Sequence, residues 1–540
     1  MLTAALSGYV TLSIASTTIP THLQTGWNAI SESHLKSEVT YLASNKLQGR
    51  LSMDAGDDKS VQWLVKQFAD IGLKPASGHY YLQTVKLIQY IPDQENSYVM
   101  LNGGKNNRWK TPDVFTEFNR DINVDGEVVF AGYGITAPEL NYDDYANVDV
   151  KGKIVLIFEH EPQERNANAI FNGTANTIYA TTRVKALNAQ QHGAIAVLIA
   201  PEPNRKHPSN QERYSHIGGS TARKIPVPSQ VLYQDELKIP VAVLSDKVAN
   251  DITKDKISLS QLQTAIDNDL KPQSQILPNT IITIHDENTS RKVGVSYNVA
   301  GLLEGSDPTL KSETIIVSAH HDHDGMSGKE IWHGADDNAS GTAGVVELAR
   351  AMAANGQSPS GQKPKRSILF VVFASEERGL LGAFYMTKHP LRPLDTTRAM
   401  INFDMIGRNE SPTPQTDGLI NIPSNTSNRL NLIGGRYSPD YLQTVTKAND
   451  YVGLTLDDRF DNESALNVFF RSDQFPFVLH NIPAFWWFTG FHPDYHHTTD
   501  TADKINYEKM KNILRLAYMS AYQFADEQTP PAFVKNPGLN

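Results

Sequence analysis

The feature that most constrains this chain is the way its apolar runs end. Thr314-Ile315-Ile316-Val317 is short and β-branched and reads as a buried strand. It stops at Ala319. The loop that follows is crowded with His320, Asp322, His323, Asp324, Asp336 and Asp337, before Gly341 and a helical pattern over 342–354. The same punctuation recurs further on. SILFVVFA is followed by Glu376 and Glu377, AMINF by Asp404, and PAFWWF, after a short loop, by His496. Strand–helix alternation of this kind builds an open α/β sheet, whose chemistry collects at the carboxyl ends of its strands. One edge of one sheet can gather all these groups, but only after tertiary folding, because they lie far apart in the chain. Imidazoles and carboxylates without cysteine suit a hard or borderline cation, zinc above all.

At 540 residues the chain exceeds one ordinary core, so two or three domains are expected. A hydrophobic content of 40% suits packed cores, and a net charge of −10 without a basic patch argues against nucleic-acid binding. With no cysteine there is neither a disulfide framework nor a thiolate metal site. The first residues, MLTAALSGYVTLSIAS, are apolar and small, with a small-x-small pattern at Ser13-Ile14-Ala15 but no positive n-region. Residues 1–22 are expected to be an export signal or an apolar arm, the former placing the protein in the periplasm or outside the cell. No later run approaches the ~20 apolar residues of a transmembrane span.

Along the chain, residues 34–75 show two helical patterns broken at Gln48-Gly49-Arg50, and 80–100 turns to strand. Near Val124 the texture changes to short β-branched strands between Gly, Asp and Pro turns: GEVVFAGYGI, GKIVLIFEHEP and AIAVLIAPEP. The block 125–275 therefore reads as a separate, inserted β-rich domain without a dense His/carboxylate cluster. It is expected to contain no zinc ligand, to border the cleft and to limit access by long or folded substrates. The flanking parts, 23–124 and 276–530, form the α/β domain, closed by an amphipathic helix over 507–524, and 531–540 reads as a mobile tail.

The ordered set HHD, GADDNASG, FASEERGLLG, FDMIG and HPDYHHTTDT resembles the co-catalytic di-zinc aminopeptidase family, which is related to glutamate carboxypeptidase and glutaminyl cyclase. The likeness is strong over 295–525 and loose over 30–100. VVFAGYGI, YDDYANVDVKGKIVLI and HGAIAVLIA resemble the protease-associated (PA) domain inserted in many members. The resemblance implies a three-layer αβα sandwich around a mixed, mostly parallel sheet, carrying a PA insert. It implies two Zn2+ per chain, one on His320 and Asp404, the other on Glu377 and His496, with Asp337 bridging. It also implies that Asp322 accepts a hydrogen bond from the far nitrogen of His320, and that Glu376 is general base to a water shared by the zincs. Tyr495 would donate to the oxyanion and Asp500 would support its loop. The implied substrates are peptides with a free N-terminus, and the reaction is hydrolysis of the first peptide bond.

His321, His323, His333, His480, His492 and His497 read as ordinary loop histidines rather than ligands. Asp336 reads as a turn or cap residue, Gly334 and Gly341 as backbone punctuation, and Trp486 and Trp487 as core strand. Three other functions fit the same pattern. A carboxypeptidase-type exopeptidase would need Arg471 or Arg408 to hold a carboxylate. A glutaminyl cyclase would use one zinc. A receptor-like binding protein would have lost its metals, against which the complete ligand set and base weigh.

Overall fold

The computed structural model describes residues 18–117, 121–205, 207–208 and 228–535. Its centre is a ten-stranded sheet running Ser229–Leu232, Leu82–Pro92, Asn288–Leu303, Ser367–Phe373, Thr314–His320, Thr397–Phe403, Ala484–Phe488, Arg429–Ile433 and Thr455–Asp457, with Lys74–Pro75 also paired to Asn288–Leu303. The four strands from Ser367–Phe373 to Ala484–Phe488 are parallel, and both flanks begin with an antiparallel pairing.

Period-two alternation divides the strand side chains between two cores. Ile315, Val317, Phe370, Val372, Ile401 and Phe403 face one side, with helices Glu32–Leu42, Ala55–Ile71, Gly341–Gln357 and Tyr507–Asp526. Ile316, Leu369, Val371 and Met400 face the other, with helix Leu381–Lys388 and with Phe475 and Phe477. These strands are apolar throughout because both faces are covered, which is the condition for a parallel sheet. The result is the expected αβα sandwich.

The inserted domain has its own eight-stranded sheet: Arg108–Trp109, Tyr98–Leu101, Gln275–His285, Asn123–Phe130, Ile154–Phe158, Ala196–Ala200, Val241–Leu244 and Val114–Glu117. It encloses two cores separate from those of the central sheet. By strand pairing the insert is wider than 125–275. Gln275–His285 lies between Tyr98–Leu101 and Asn123–Phe130, so the chain enters and leaves on neighbouring strands. Conversely, Ser229–Leu232 lies inside that range yet extends the edge of the central sheet on Leu82–Pro92.

Residues 1–17 of the expected N-terminal arm lie outside the described residues; Thr21–Leu23 forms a helical turn with Leu23 buried. The tail expected to be mobile is anchored as far as it is described. Phe533 stacks on Tyr437 at 5.6 Å, and the Val534 amide donates to the Tyr437 carbonyl at 2.8 Å. An aromatic side chain that finds an apolar cluster outweighs the ordering entropy of a few residues. Residues 536–540 lie outside the described residues. No helix among the described residues is long and apolar enough to cross a membrane.

One buried polar contact ties the sheet to its helices on the face away from helix Leu381–Lys388. Trp487 Nε1 donates to Tyr441 Oη at 3.1 Å, and that hydroxyl donates to the Met400 carbonyl at 3.2 Å. Tyr441→Phe leaves the indole N–H without its acceptor. The expected cost is about 1–3 kcal/mol, seen as a lower midpoint in thermal melting; an unchanged midpoint would show that the contact carries no weight.

Candidate metal centre and active site

Parallel strands that end in register deliver their next residues to one place. His320 is the last residue of its strand, Glu376 and Glu377 follow Ser367–Phe373, Asp404 follows Thr397–Phe403, and His496 lies beyond Ala484–Phe488. Asp337 comes from the turn ahead of helix Gly341–Gln357. His320 Nε2 lies 3.5 Å from Asp337 Oδ1, 3.5 Å from Asp404 Oδ1 and 3.7 Å from Glu376 Oε2. His496 Nε2 lies 3.0 Å from Asp337 Oδ2 and 3.3 Å from Glu377 Oε2. The two oxygens of Asp337 thus face two different imidazoles.

These spacings suit ligands around a cation. Zinc bonds of about 2.0–2.2 Å in tetrahedral array put ligand atoms roughly 3.3–3.5 Å apart. His320 Nε2 is buried and makes no hydrogen bond, a state that is costly for a polar atom unless something else meets it. Carboxylate and imidazole donors are also the right chemistry for such an ion.

The two adjacent glutamates differ. Burial pushes Glu376 well above the usual carboxylate range, against the pull of His320 and helped by Asp404. Burial would raise Glu377 too, but the facing His496 and His323 outweigh it and bring it down to about 2. Burial would lower His496, yet Glu377, Asp337 and Asp324 raise it to about 9. Neighbouring carboxylates likewise overcome burial at His320 and hold it well above its ordinary value.

Asp322 is placed otherwise than expected. His320 Nδ1 pairs with the Asp322 backbone carbonyl at 3.2 Å, while the carboxylate is 3.7 Å away. That carboxylate instead accepts the amides of Glu376 and Glu377, at 3.0 and 3.3 Å. The turn at Ser375–Glu377 points two N–H groups inward, and the carboxylate satisfies them, so Asp322 positions the glutamate pair. The far nitrogen of His496 faces a carboxylate, Asp324, at 3.7 Å. Asp500 accepts the amides of Asp336 and Asp337 at 2.9 and 3.2 Å, supporting the Asp337 turn from across the site. Asp336 accepts the Gly407 amide at 2.7 Å and faces His492 at 3.2 Å. His321, His333 and His497 each face a backbone carbonyl, as loop histidines do. His323 departs from that expectation. Its Nδ1 is 2.5 Å from Glu377 Oε1, within the same cluster as Asp337.

Two members of the site carry no sequence signal as such. Arg50, from the break between the first helices, is buried, and its guanidinium donates to the carbonyls of His321, Leu42, His333 and Gly334 at 2.6–2.9 Å. It fastens both loops that carry His320 and Asp337. Gly49 beside it has φ 70°, and a Cβ there would strike the carbonyls of Gly325 and Trp332. Asp473 is fully buried with neither oxygen hydrogen-bonded, and burial raises it well above the carboxylate range. It follows Ser472, whose hydroxyl donates to Asp404 Oδ2 at 2.6 Å.

A cavity of about 340 Å³ opens onto Asp337, Glu376, Glu377, Asp404, Tyr495 and His496. Its other wall is largely apolar: Leu380, Phe384, Met405, Phe470, Phe475 and Trp486. Trp486 therefore lines the cavity, while Trp487, one residue on, points into the opposite core. Thr181 and Arg183 of the inserted domain complete the rim, as expected of a domain that borders the cleft. Among the described residues that domain adds nothing to the metal-type groups at the sheet edge. The expectation that it holds no dense cluster of its own is overturned: His160, Glu164, Glu202 and His207 come together inside it. Long sequence gaps concealed that convergence.

Comparison with known proteins places this site. Residues 298–521 match peptidase family M28 and residues 124–252 match the PA domain. Residues 298–521 are thus a peptidase family M28 domain. A probable zinc metalloprotease of Pyrenophora teres f. teres (strain 0-1) is 37% identical over 117 residues, 20% of this chain and 24% of its own length. Leupeptin-inactivating enzyme 1 of Streptomyces exfoliatus is 29% identical over 211 residues, 38% of this chain and 39% of its own. The chain spans less than half the length of these curated relatives. In fold, an aminopeptidase from Aneurinibacillus sp. strain AM-1 superposes over 95% of this chain and 98% of its own, with a TM-score of 0.53 at 19% identity.

Arg50 is the support most open to test. Lysine keeps the charge but cannot reach four carbonyls in fixed directions. Arg50→Lys is expected to lose about 1–3 kcal/mol for the carbonyls left unmet, and to weaken retention of metal by the purified protein under mild chelation. Melting and chelator resistance equal to those of the parent would remove Arg50 from this role.

Proposed function

We propose that this chain is a zinc-dependent aminopeptidase that hydrolyses the first peptide bond of substrates with a free N-terminus and an apolar first residue. The observation that carries this reading is Asp337, whose two oxygens face two separate donor sets beside a buried glutamate on an open cavity. His320 and Asp404 would hold one zinc, Glu377 and His496 a second, and Asp337 both. Bound zinc would supply Lewis acidity toward the scissile carbonyl and an acidified water.

Everything else falls to the chain's own side chains. Glu376 is the base. Its elevated pKa suits a carboxylate that takes a proton from the attacking water and returns it to the leaving amine. Asp322 holds the Glu376 backbone, so the base is fixed by a hydrogen bond outside the reacting atoms. Tyr495 reaches the cavity and would donate its hydroxyl to the oxygen of the tetrahedral adduct. Arg471 Nη2, 3.4 Å from that hydroxyl, adds positive charge on the same side. The apolar wall takes the first side chain, and the carboxylates beside it favour the free ammonium or amine.

One observation favours a second reading. Arg471 lines the cavity, where a carboxypeptidase-type enzyme would need a cation for the substrate's C-terminal carboxylate. Arg408 does not fit that task, because it is paired with Asp494 at 2.8 Å. Aminoacyl nitroanilides compared with N-blocked peptides separate the two: cleavage of the former only is expected, and release of C-terminal residues from blocked peptides would favour the second.

Glu376→Gln is expected to lower kcat by about 10²–10⁴-fold with KM little changed and both active-site zincs kept. Glu377→Gln should lose zinc. Near-full activity in Glu376→Gln, or loss of metal from it and not from Glu377→Gln, would reverse the assigned roles. Chelation should abolish activity and added zinc restore it.

A further inference from the structure

The inserted domain repeats on a small scale the geometry of the main site. Ile154–Phe158 and Ala196–Ala200 are neighbouring parallel strands registered Phe158 with Ala200, so they end side by side. His160 and Glu202 each stand two residues beyond those ends. Glu164 and His207 close on them from the following loops. All four side chains are buried, the most exposed being His160 at 7%.

We propose that His160, Glu164, Glu202 and His207 form a second, structural site for one divalent cation of the zinc class, apart from the active centre. His160 Nδ1 lies 3.2 Å from Glu202 Oε2 and 3.7 Å from Glu164 Oε2, and His207 Nε2 lies 3.0 Å from Glu164 Oε2. One ligand atom from each residue falls within 4.8 Å of all the others. These spacings bracket the roughly 3.3–3.5 Å edge of a tetrahedral zinc site. The independent sign is His207. Its ring is 5% exposed, yet neither nitrogen has a hydrogen-bond partner, although Nε2 is close to a carboxylate oxygen. A buried imidazole aimed at carboxylates without hydrogen-bond alignment is set for a cation between them.

The remaining oxygens are engaged as the outer contacts of such a site would be. Glu202 Oε1 pairs with Arg205, which also holds Asp267. Glu164 Oε1 accepts the Ser464 hydroxyl at 2.6 Å. That last contact gives the site a consequence. Ser464 belongs to the α/β domain, and Asn176 of the insert grips the same segment through the Ser464 carbonyl and Asn467 Oδ1, at 2.9 and 2.8 Å. The segment runs on to Phe470 and Arg471, which line the cavity. A cation on Glu164 would therefore brace the insert against the loop that shapes the substrate pocket.

The test is anomalous diffraction at the zinc edge from crystals of the full chain grown with Zn2+. A peak enclosed by His160, Glu164, Glu202 and His207 is expected, separate from any at the His320–His496 site. Absence of that peak at saturating Zn2+ would overturn the proposal, whatever the active centre holds. In solution, His160→Ala/His207→Ala and, separately, the milder Glu164→Gln should each lose one zinc equivalent per chain. Both should melt at lower temperature than the parent in zinc and no differently from it after chelation. Zinc content equal to the parent's in both variants would equally sink it, and the active-site zinc measured alongside keeps this outcome distinct from failure of the peptidase reading.

Discussion

Carboxylates crowd one edge of the central sheet, and the rest of the α/β domain is arranged to make that possible. Asp322, Asp337, Glu376, Asp404, Asp473 and Asp500 are all buried. Two like charges 5 Å apart repel by about 3 kcal/mol at an effective dielectric near 20, so the cluster cannot stand as bare anions. Part of the compensation is visible in neighbours. Asp322 and Asp500 each receive two backbone amides, His320 and His496 are drawn toward their charged forms, and Arg50 places a guanidinium behind both ligand loops.

Parallel strands are the reason the crowding happens at all. A parallel strand must leave the sheet and return by a crossover, so every strand in the run ends at the same edge. Residues placed just beyond those ends meet without any local motif to bring them together. The inserted domain obeys the same rule at two neighbouring strands of its own parallel run, and its His160 and Glu202 meet for the same reason that His320 and Asp404 do. Two clusters with one geometric origin are easier to understand than two independent inventions.

The same rule explains what was legible in the sequence. His320, Asp337, Glu376, Glu377, Asp404 and His496 each follow a recognisable apolar run or turn, and the runs themselves showed an α/β sheet; the three-layer sandwich was what the family resemblance implied. Arg50 was hidden because a helix break reads as punctuation, and nothing local says that its side chain crosses to His333 and Gly334. Asp473 was hidden because its importance is burial, which appears only when the Ser472 segment packs under Asp404. The His160 cluster was hidden by its spacing, and the insert's edges by strand pairing: Tyr98–Leu101 and Gln275–His285 look like strands of either domain until they pair with each other. Asp322 shows a subtler loss. Its neighbourhood with His320 was readable, but which of its atoms faces the imidazole depended on two amides from a distant turn.

The cavity is where the two domains have to agree. Its apolar wall and its metal-type edge belong to the α/β domain, while Thr181 and Arg183 come from the insert. Arg183 is held by Asp235 at 2.6 Å and lies 4.5 Å over the Phe384 ring, on a helix that also lines the cavity. A cation over an aromatic face gives about 0.5–2 kcal/mol, enough to favour one docked position and too little to lock it. Two further ties act on the loop that carries Phe470 and on its neighbour: Asn176 with Ser464 and Asn467, and the Asn172 carbonyl with Arg436 at 3.1 Å. The insert thus meets the cavity directly at Thr181 and Arg183 and holds the segment leading to Phe470 through Asn176. Pocket width then follows from how firmly those ties hold, and the buried His160 cluster, linked through Glu164 to Ser464, sits directly behind one of them.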